Sequence, residues 1–364
     1  MASSETMTTQ RSVTFVNYTT PASITTKEIN LDKCYSDDEI VINLKAAALN
    51  PIDFIVHGLC FPYITRNDLK TYSRDYAGVI VRRGANVDPK WQIGDRVNGM
   101  FGHIFGPHGT LSDYLVMDPT KQAAIAHIDN SIDFETAASW PLVFGSAYAV
   151  LFHRKQKWTE NSKILVIGAS TSVSNCLAQI AKNHLKVGTV VGICNQNSIE
   201  RNKEFGFDYL LPYNDDEGND VTVKNVQQFI EEKLNGEKFD LIFDSVGNSQ
   251  FFPIMDQVLK PKNTNSYFIT VAGDAKYNYK KPGLLDSFAA LKAPFRALNP
   301  FRKFNYAFPF VKKEANYMEL GNRMLEKGTF KPQIDSVYSF NEFDKAIERL
   351  KSNRAKGKVV VKID

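Results

Sequence analysis

The feature that most constrains this chain is the run Lys163–Gly168, a β-branched, apolar stretch that passes through one glycine into a helical pattern reaching Lys182. The same alternation continues downstream. Strand-like runs at Thr189–Cys194, Tyr209–Leu211, Leu241–Asp244 and Tyr267–Val271 are separated by helical patterns near Ser198–Phe205 and Val221–Leu234. Strands joined by helices of this length require right-handed crossovers, so the middle of the chain predicts a doubly wound parallel sheet. Just before it, the small-residue-rich Phe134–Leu151 reads as one helix carried across Pro141.

From Ser12 to Ile128 the pattern is different. Short apolar runs such as Ile40–Leu44, Ala77–Val81 and Tyr114–Val116 are separated by the turn signals Asn50-Pro51, Gly94-Asp95 and Gly106-Pro107, which predicts a β-rich half. At the far end Asn341–Lys351 reads as a helix and Lys358–Ile363 as a strand, with Gly357 between them. This tail is expected to return to the β-rich half. With 364 residues, two domains are expected: one from 1–130 completed by 326–364, and one from 131–325.

The turn after the first parallel strand, Gly168-Ala169-Ser170-Thr171-Ser172-Val173-Ser174, stands where backbone N–H groups and a helix N-terminus can hold a pyrophosphate. Gly168 is the one glycine left in it, and the hydroxyls of Ser170, Thr171 and Ser172 are available to a phosphate. The competing reading is a purely structural turn. The second strand runs into Cys194-Asn195-Gln196-Asn197-Ser198, with no acidic residue to grip a ribose 2′-hydroxyl. A nucleotide held here is therefore expected to be NADP(H), with Asn195, Asn197, Ser198 and Arg201 receiving its 2′-phosphate. Arg201 reads equally well as a solvated helix residue.

Composition excludes other classes. The net charge of +4, from 44 Lys and Arg against 40 Asp and Glu, is too small to argue for nucleic acid, and no nucleic-acid motif is present. The four cysteines, Cys34, Cys60, Cys176 and Cys194, are far apart, which suggests neither a disulfide framework nor a structural zinc knot. The polar start at Met1–Ser12 lacks the pattern of a signal or transit peptide, and no run of about 18 apolar residues suggests a membrane span. The expectation is a protein on the cytoplasmic side with at most peripheral membrane contact.

Four segments then converge: Ala47-Ala48-Leu49-Asn50-Pro51-Ile52-Asp53, Arg74-Asp75-Tyr76-Ala77-Gly78-Val79, Gly94-Asp95-Arg96-Val97, and Phe239-Asp240-Leu241-Ile242-Phe243-Asp244-Ser245-Val246-Gly247. In this order, closed by Gly357-Lys358-Val359-Val360-Val361, they resemble the zinc-free quinone oxidoreductase branch of the medium-chain dehydrogenases/reductases. The resemblance implies an α/β fold, a GroES-like β-rich domain plus a Rossmann domain, and NADPH-dependent reduction of quinones or related α,β-unsaturated carbonyls. It implies Asn50 and Asp53 near the nicotinamide, and Asp244, Val246, Gly247, Ala272 and Gly273 beside the cofactor; Asp53 and Asp75 also read as turn caps. Where that family carries glycines in its phosphate loop, this chain has Thr171, Ser172 and Ser174. Within the family it is most similar to a fungal branch associated with lipid droplets and mitochondria, through Asn161–Ser174, Ser198–Gly206 and Ser352–Lys362. Homodimers are implied as well.

Zinc-dependent relatives need Cys, His and Glu ligands around an open position. Here Asp75 stands where a ligand pair would sit, and His57, His103, His108 and Cys60 fit no ligand spacing, so no zinc is expected. Without metal, Asn50 and Tyr63 are the candidate donors to a substrate carbonyl, although Tyr63 reads more readily as an aromatic lining the pocket or core. No nucleophile-elbow pattern surrounds Ser146.

One segment fits none of this. Between Asp286 and Glu314 no acidic residue occurs, and Lys292, Arg296, Arg302, Lys303, Lys312 and Lys313 interleave with Phe288, Phe295, Phe301, Phe304, Tyr306, Phe308 and Phe310. Leu284, Phe288, Leu291, Phe295 and Leu298 recur at helical spacing, with Pro294 among them. The stretch 284–313 is read either as a peripheral lipid contact or as aromatic packing against protein. The first reading also supports a second class of function, a catalytically quiet protein at a lipid surface. It predicts that reversing the charges of Arg302, Lys303, Lys312 and Lys313 weakens flotation with anionic liposomes; unchanged flotation counts against it.

Overall fold

The structure, a computed structural model, describes residues 6–62, 68–102, 108–273, 295–296, 298–299 and 302–364. The chain divides into two compact units. One comprises Met1–Leu142, Lys312–Gly328 and Pro332–Asp364; the other comprises Val143–Val311 and Thr329–Lys331.

The first unit is built on a seven-stranded sheet. Its central strand, Ile40–Leu49, is paired on one side with Asp75–Arg83 and on the other with Lys358–Lys362 and Tyr114–Met117. The expected return of the tail is present: Lys358–Lys362 runs antiparallel to Ile40–Leu49, with Val360 opposite Ala48. Gly357 makes the entry possible, because a Cβ there would sit 2.5 Å from the Gln333 carbonyl oxygen. A hairpin of Met7–Phe15 and Ser23–Asn30 adds a small second sheet that sequence reading did not delimit. Its strands are rich in Thr and charge, which masks the usual alternation.

A buried charged cluster ties this unit together. The Lys358 ammonium donates to Asp75 Oδ2 at 3.0 Å and to Asn50 Oδ1 at 2.6 Å. The Asn50 amide donates to the same Asp75 oxygen at 2.9 Å and to the Ala48 carbonyl at 3.3 Å. The other Asp75 oxygen accepts the Leu142 N–H at 2.8 Å. Lys358 and Asp75 are both buried, so each ion depends on the other for its lost hydration.

The second unit is the predicted parallel sheet. Its six strands are labelled β1 (Lys163–Ile167), β2 (Thr189–Cys194), β3 (Tyr209–Pro212), β4 (Leu241–Asp244), β5 (Tyr267–Thr270) and β6 (Tyr306–Ala307). All neighbours are parallel and the order is β3-β2-β1-β4-β5-β6. The strand order thus reverses direction between β1 and β4, the switch point where such sheets bind ligands at their carboxyl ends. Two helices are used below: α1 (Ser172–Gln179), which follows β1, and α2 (Thr222–Leu234), which packs Val226, Phe229 and Ile230 into the core beside β1 and β2.

Two expectations are corrected, and part of a third segment proves to pack on the core. Phe134–Leu151 is two helices, Phe134–Ala138 and Pro141–Leu151, because a proline lacks the N–H a helix interior needs and here begins the second one. The helix after β1 does not end at Lys182; beyond α1 it widens to a π-helical turn over Ile180–His184. In the basic aromatic segment, Tyr306 lies in β6, buried and stacked on Phe268 at 5.7 Å, with Phe304 and Phe308 packed on the same core. Those rings serve the sheet, whereas Phe295, Leu298 and Phe310 are 74%, 78% and 68% exposed. Leu284, Phe288, Leu291, Lys292, Pro294 and Phe301 lie outside the described residues.

Replacing Lys358 by Met keeps the bulk but leaves Asp75 buried beside one amide and one N–H. The expected loss is about 3–5 kcal/mol of stability, read as a shifted denaturation midpoint; a shift within error would show that the pair is not what holds the tail strand.

Candidate functional site

Strand β1 ends at Gly168, whose φ of +89° L side chains avoid; a Cβ there would lie 2.5 Å from Val246 Cγ1 and 2.6 Å from Ser245 Oγ. The turn is therefore held close against the loop after β4. The Gly168 and Ala169 N–H groups donate to the Ile193 carbonyl at 3.1 and 2.8 Å, and the Thr171 N–H donates to the Gly168 carbonyl at 3.1 Å. Thr171 caps α1, and its hydroxyl accepts from the Ser174 N–H at 3.3 Å. The N–H groups of Ser172 and Val173 have no acceptor among the described residues, so two donors remain open at a helix N-terminus.

Not every hydroxyl offered by the sequence remains available. Thr171 Oγ1 is 2.9 Å from both Ser174 Oγ and Ser245 Oγ and belongs to a closed cluster. The Ser170 hydroxyl accepts from the buried Asn202 amide at 2.8 Å and keeps its own proton to give. Of the hydroxyls of Ser170, Thr171 and Ser172, that of Ser172 has no partner among the described residues.

Beyond β2, the Asn195 side chain is also occupied: Oδ1 accepts the Asn197 N–H at 3.0 Å and Nδ2 donates to the Tyr213 hydroxyl at 3.1 Å. The side chains of Asn197 and Ser198 have no hydrogen-bond partner among the described residues. Arg201 is half-buried, and its Nε is shielded from solvent with no hydrogen-bond partner among the described residues. Cys194, buried beside Arg201 and Asn202, has its thiol pushed up by burial and held back by the Asn202 hydrogen bond.

The ends of β4 and β5 are joined by Asp244. This buried carboxylate accepts the N–H groups of Val246 and Gly247 at 3.1 Å, that of Asn248 at 2.9 Å, and the Thr270 hydroxyl at 3.1 Å. Thr270 Oγ1 in turn accepts from the N–H groups of Ala272 and Gly273 at 3.1 and 3.2 Å. Burial raises the Asp244 carboxyl to about 6 against the opposing pull of those donors.

The residues predicted beside a cofactor in this unit, from Gly168 to Gly273, thus fall at the carboxyl ends of β1, β2, β4 and β5. Asn50 and Asp53 belong to the other unit. Both are buried; Asn50 has its amide committed to Ala48, Asp75 and Lys358, and Asp53 accepts the Asn50 N–H at 2.8 Å. Tyr63 and His103 lie outside the described residues. His57 has both ring nitrogens engaged, Nδ1 by the Tyr72 hydroxyl and Nε2 by the carbonyls of Asn17 and Thr20 at 3.1 and 2.9 Å. Among the described residues no group of three or more His, Cys, Asp and Glu can hold a metal ion, and no helix is long and apolar enough to cross a membrane. Sequence reasoning missed Asn202 and Ser245. The excess of hydroxyls at 170–174 is the signal that such partners must exist.

Burial raises Asp53 to about 6 from an ordinary 3.8, against the opposing charges of Arg74 and Lys358, while Asp75 adds to the rise. A raised carboxyl makes the folded state hold a proton the unfolded chain has released. Its contribution to stability is full below 3.8 and lost as pH rises through about 6. Asp53→Asn, which cannot ionise, is expected to flatten the fall in stability across that window in thermal melts; an unchanged slope would show that Asp53 does not titrate there.

Comparison with known proteins agrees with this fold. Residues 36–129 match the alcohol dehydrogenase GroES-like domain and residues 205–361 match the zinc-binding dehydrogenase domain. Protein YIM1 of Saccharomyces cerevisiae strain S288c is 53% identical over 368 residues, covering 99% of this chain and all of that one. The quinone oxidoreductase from Coxiella burnetii superposes with a TM-score of 0.70 at 18% identity, over 98% of this chain and all of its own. An alcohol dehydrogenase superfamily protein from Novosphingobium aromaticivorans gives 0.74, also at 18% identity and with the same coverage of both chains. At that identity the likeness is one of fold.

Proposed function

We propose that this chain, which belongs to the medium-chain dehydrogenase/reductase superfamily and shares its fold with quinone oxidoreductases, is a zinc-independent, NADPH-dependent reductase of quinones or α,β-unsaturated carbonyls. The observation that carries this reading is the Gly168 turn, with the open Ser172 and Val173 N–H groups at the switch point of a parallel sheet. Gly168 lets the turn close against Val246 and Ser245 where a Cβ would clash, and Arg201, whose guanidinium has no hydrogen-bond or ion-pair partner among the described residues, would with Asn197 and Ser198 receive a 2′-phosphate. Val246, Gly247, Ala272 and Gly273 would flank the bound nucleotide.

NADPH, when bound, supplies a hydride for an electron-poor carbon of an enone or quinone. The chain's own part is to hold the phosphates by backbone donors, to favour the 2′-phosphorylated cofactor by a cation, and to present a donor to the substrate carbonyl. Tyr63 keeps that donor role in this reading. Asn50, with its amide held by Asp75 and Lys358, serves as a structural link.

A second reading, a catalytically quiet protein at a lipid-droplet or mitochondrial surface, is favoured by one observation: the exposed Phe295, Leu298 and Phe310 in a segment rich in cations. That surface and a homodimer are compatible with either reading.

Titration with NADPH and NADH, followed by thermal stability, separates the readings, because a ligand of the native state raises stability by RT ln(1 + [L]/Kd). Stabilisation by NADPH in preference to NADH is expected, and Arg201→Ala should weaken NADPH by about ten- to a hundredfold while leaving NADH little changed. No response to either nucleotide would favour the quiet protein.

A further inference from the structure

Ser245 is a residue to which neither the family match nor the sequence reading gives a task, and three hydroxyls meet at it. Thr171 Oγ1 and Ser174 Oγ each lie 2.9 Å from Ser245 Oγ and 2.9 Å from one another. Ser245 Oγ in turn lies 3.0 Å from the Ile167 carbonyl oxygen and 3.2 Å from that of Gly168. The protons balance in one arrangement: Ser245 accepts from the helix-side hydroxyls and donates its own proton to a carbonyl of the turn. Ser174 is fully buried, so its hydroxyl has no water to turn to.

We infer that Ser245 is a positioning residue for the nucleotide turn: its hydroxyl latches the Gly168–Ser174 turn to the loop after β4 and holds the Ser172 and Val173 N–H groups outward for a phosphate. The inference rests on the nucleotide-binding reading above. Thr171 and Ser174 add polar side chains to the turn, and a buried polar side chain there is tolerated only with a partner. Ser245 supplies that partner from the neighbouring strand end, while Gly168 allows the close approach that the latch requires. The substituted turn is therefore a differently fastened one, and its hydroxyls stabilise the backbone rather than grip the ligand. Ser245 touches no phosphate in this account.

Ser245→Ala removes the shared acceptor and leaves a buried hydroxyl without one. With the full-length protein, calorimetric titration is expected to give a Kd for NADPH about tenfold higher in Ser245→Ala, the equivalent of one buried hydrogen bond. Ser245→Thr, which keeps the hydroxyl, should restore it. Hydrogen exchange of the nucleotide-free proteins supplies a readout that a general loss of stability would not mimic: exchange in 168–175 should accelerate in Ser245→Ala while β5 and α2 of the same unit stay protected. In a double-mutant cycle, Ser174→Ala combined with Ser245→Ala should bind no more weakly than the weaker single variant, because donor and acceptor are removed together. If the parent protein binds NADPH and Ser245→Ala binds it equally well with unchanged exchange in 168–175, the latch is overturned while the nucleotide site stands. If the parent itself fails to bind NADPH, the nucleotide reading falls, and the positioning role with it.

Discussion

One buried carboxylate ties together the chain segments that meet at the end of the first unit's central strand. Asp75 accepts from Asn50, Lys358 and the Leu142 backbone, so a single side chain joins the end of the central strand, its neighbour, the start of the helix Pro141–Leu151 and the final strand of the chain. An ion pair removed from water is worth little unless its geometry is complete, and here the Asn50 amide completes it by bridging both charges. The cost of losing any partner makes this cluster a specifying device: the C-terminal strand has one place in which Lys358 is satisfied.

The second unit solves a different problem with hydroxyls and backbone. Its sheet needs no charge to define its order; apolar strands and helical crossovers suffice. What must be specified is the set of turns at the carboxyl ends. Asp244 gathers three N–H groups after β4 and reaches Thr270 at the end of β5, and the Ser245 cluster fastens the turn after β1 to the same loop. Among the described residues this rim carries the open Ser172 and Val173 N–H groups and the Arg201 cation, on which the proposed dinucleotide site rests.

Sequence made the parallel sheet legible because its strands are continuous apolar runs; β1, β2 and β4 fall where the pattern puts them. It concealed β6, whose Tyr306-Ala307 pair is too short to show a period and sits among cations that suggest a surface. In the candidate site, Gly168 was legible from its place after an apolar run, since a turn so close to Val246 admits no side chain. The fate of Thr171 was not: whether a hydroxyl faces a ligand or a neighbouring serine is decided by Ser245, 74 residues away in sequence. Asn50 carries the same lesson. Its motif marks it as a site residue, while its partner Lys358 lies 308 positions on, beyond the reach of any local pattern.

The central claim is that this turn holds NADPH for hydride transfer to an electron-poor carbonyl compound. The direct test is to follow nicotinamide absorbance with a panel of quinones and enones, using NADPH deuterated at either face of C4. The account predicts turnover with at least one acceptor, slowed by deuterium on one face, with that deuterium recovered in an enone product. Tight NADPH binding with no hydride transferred to any acceptor would contradict it.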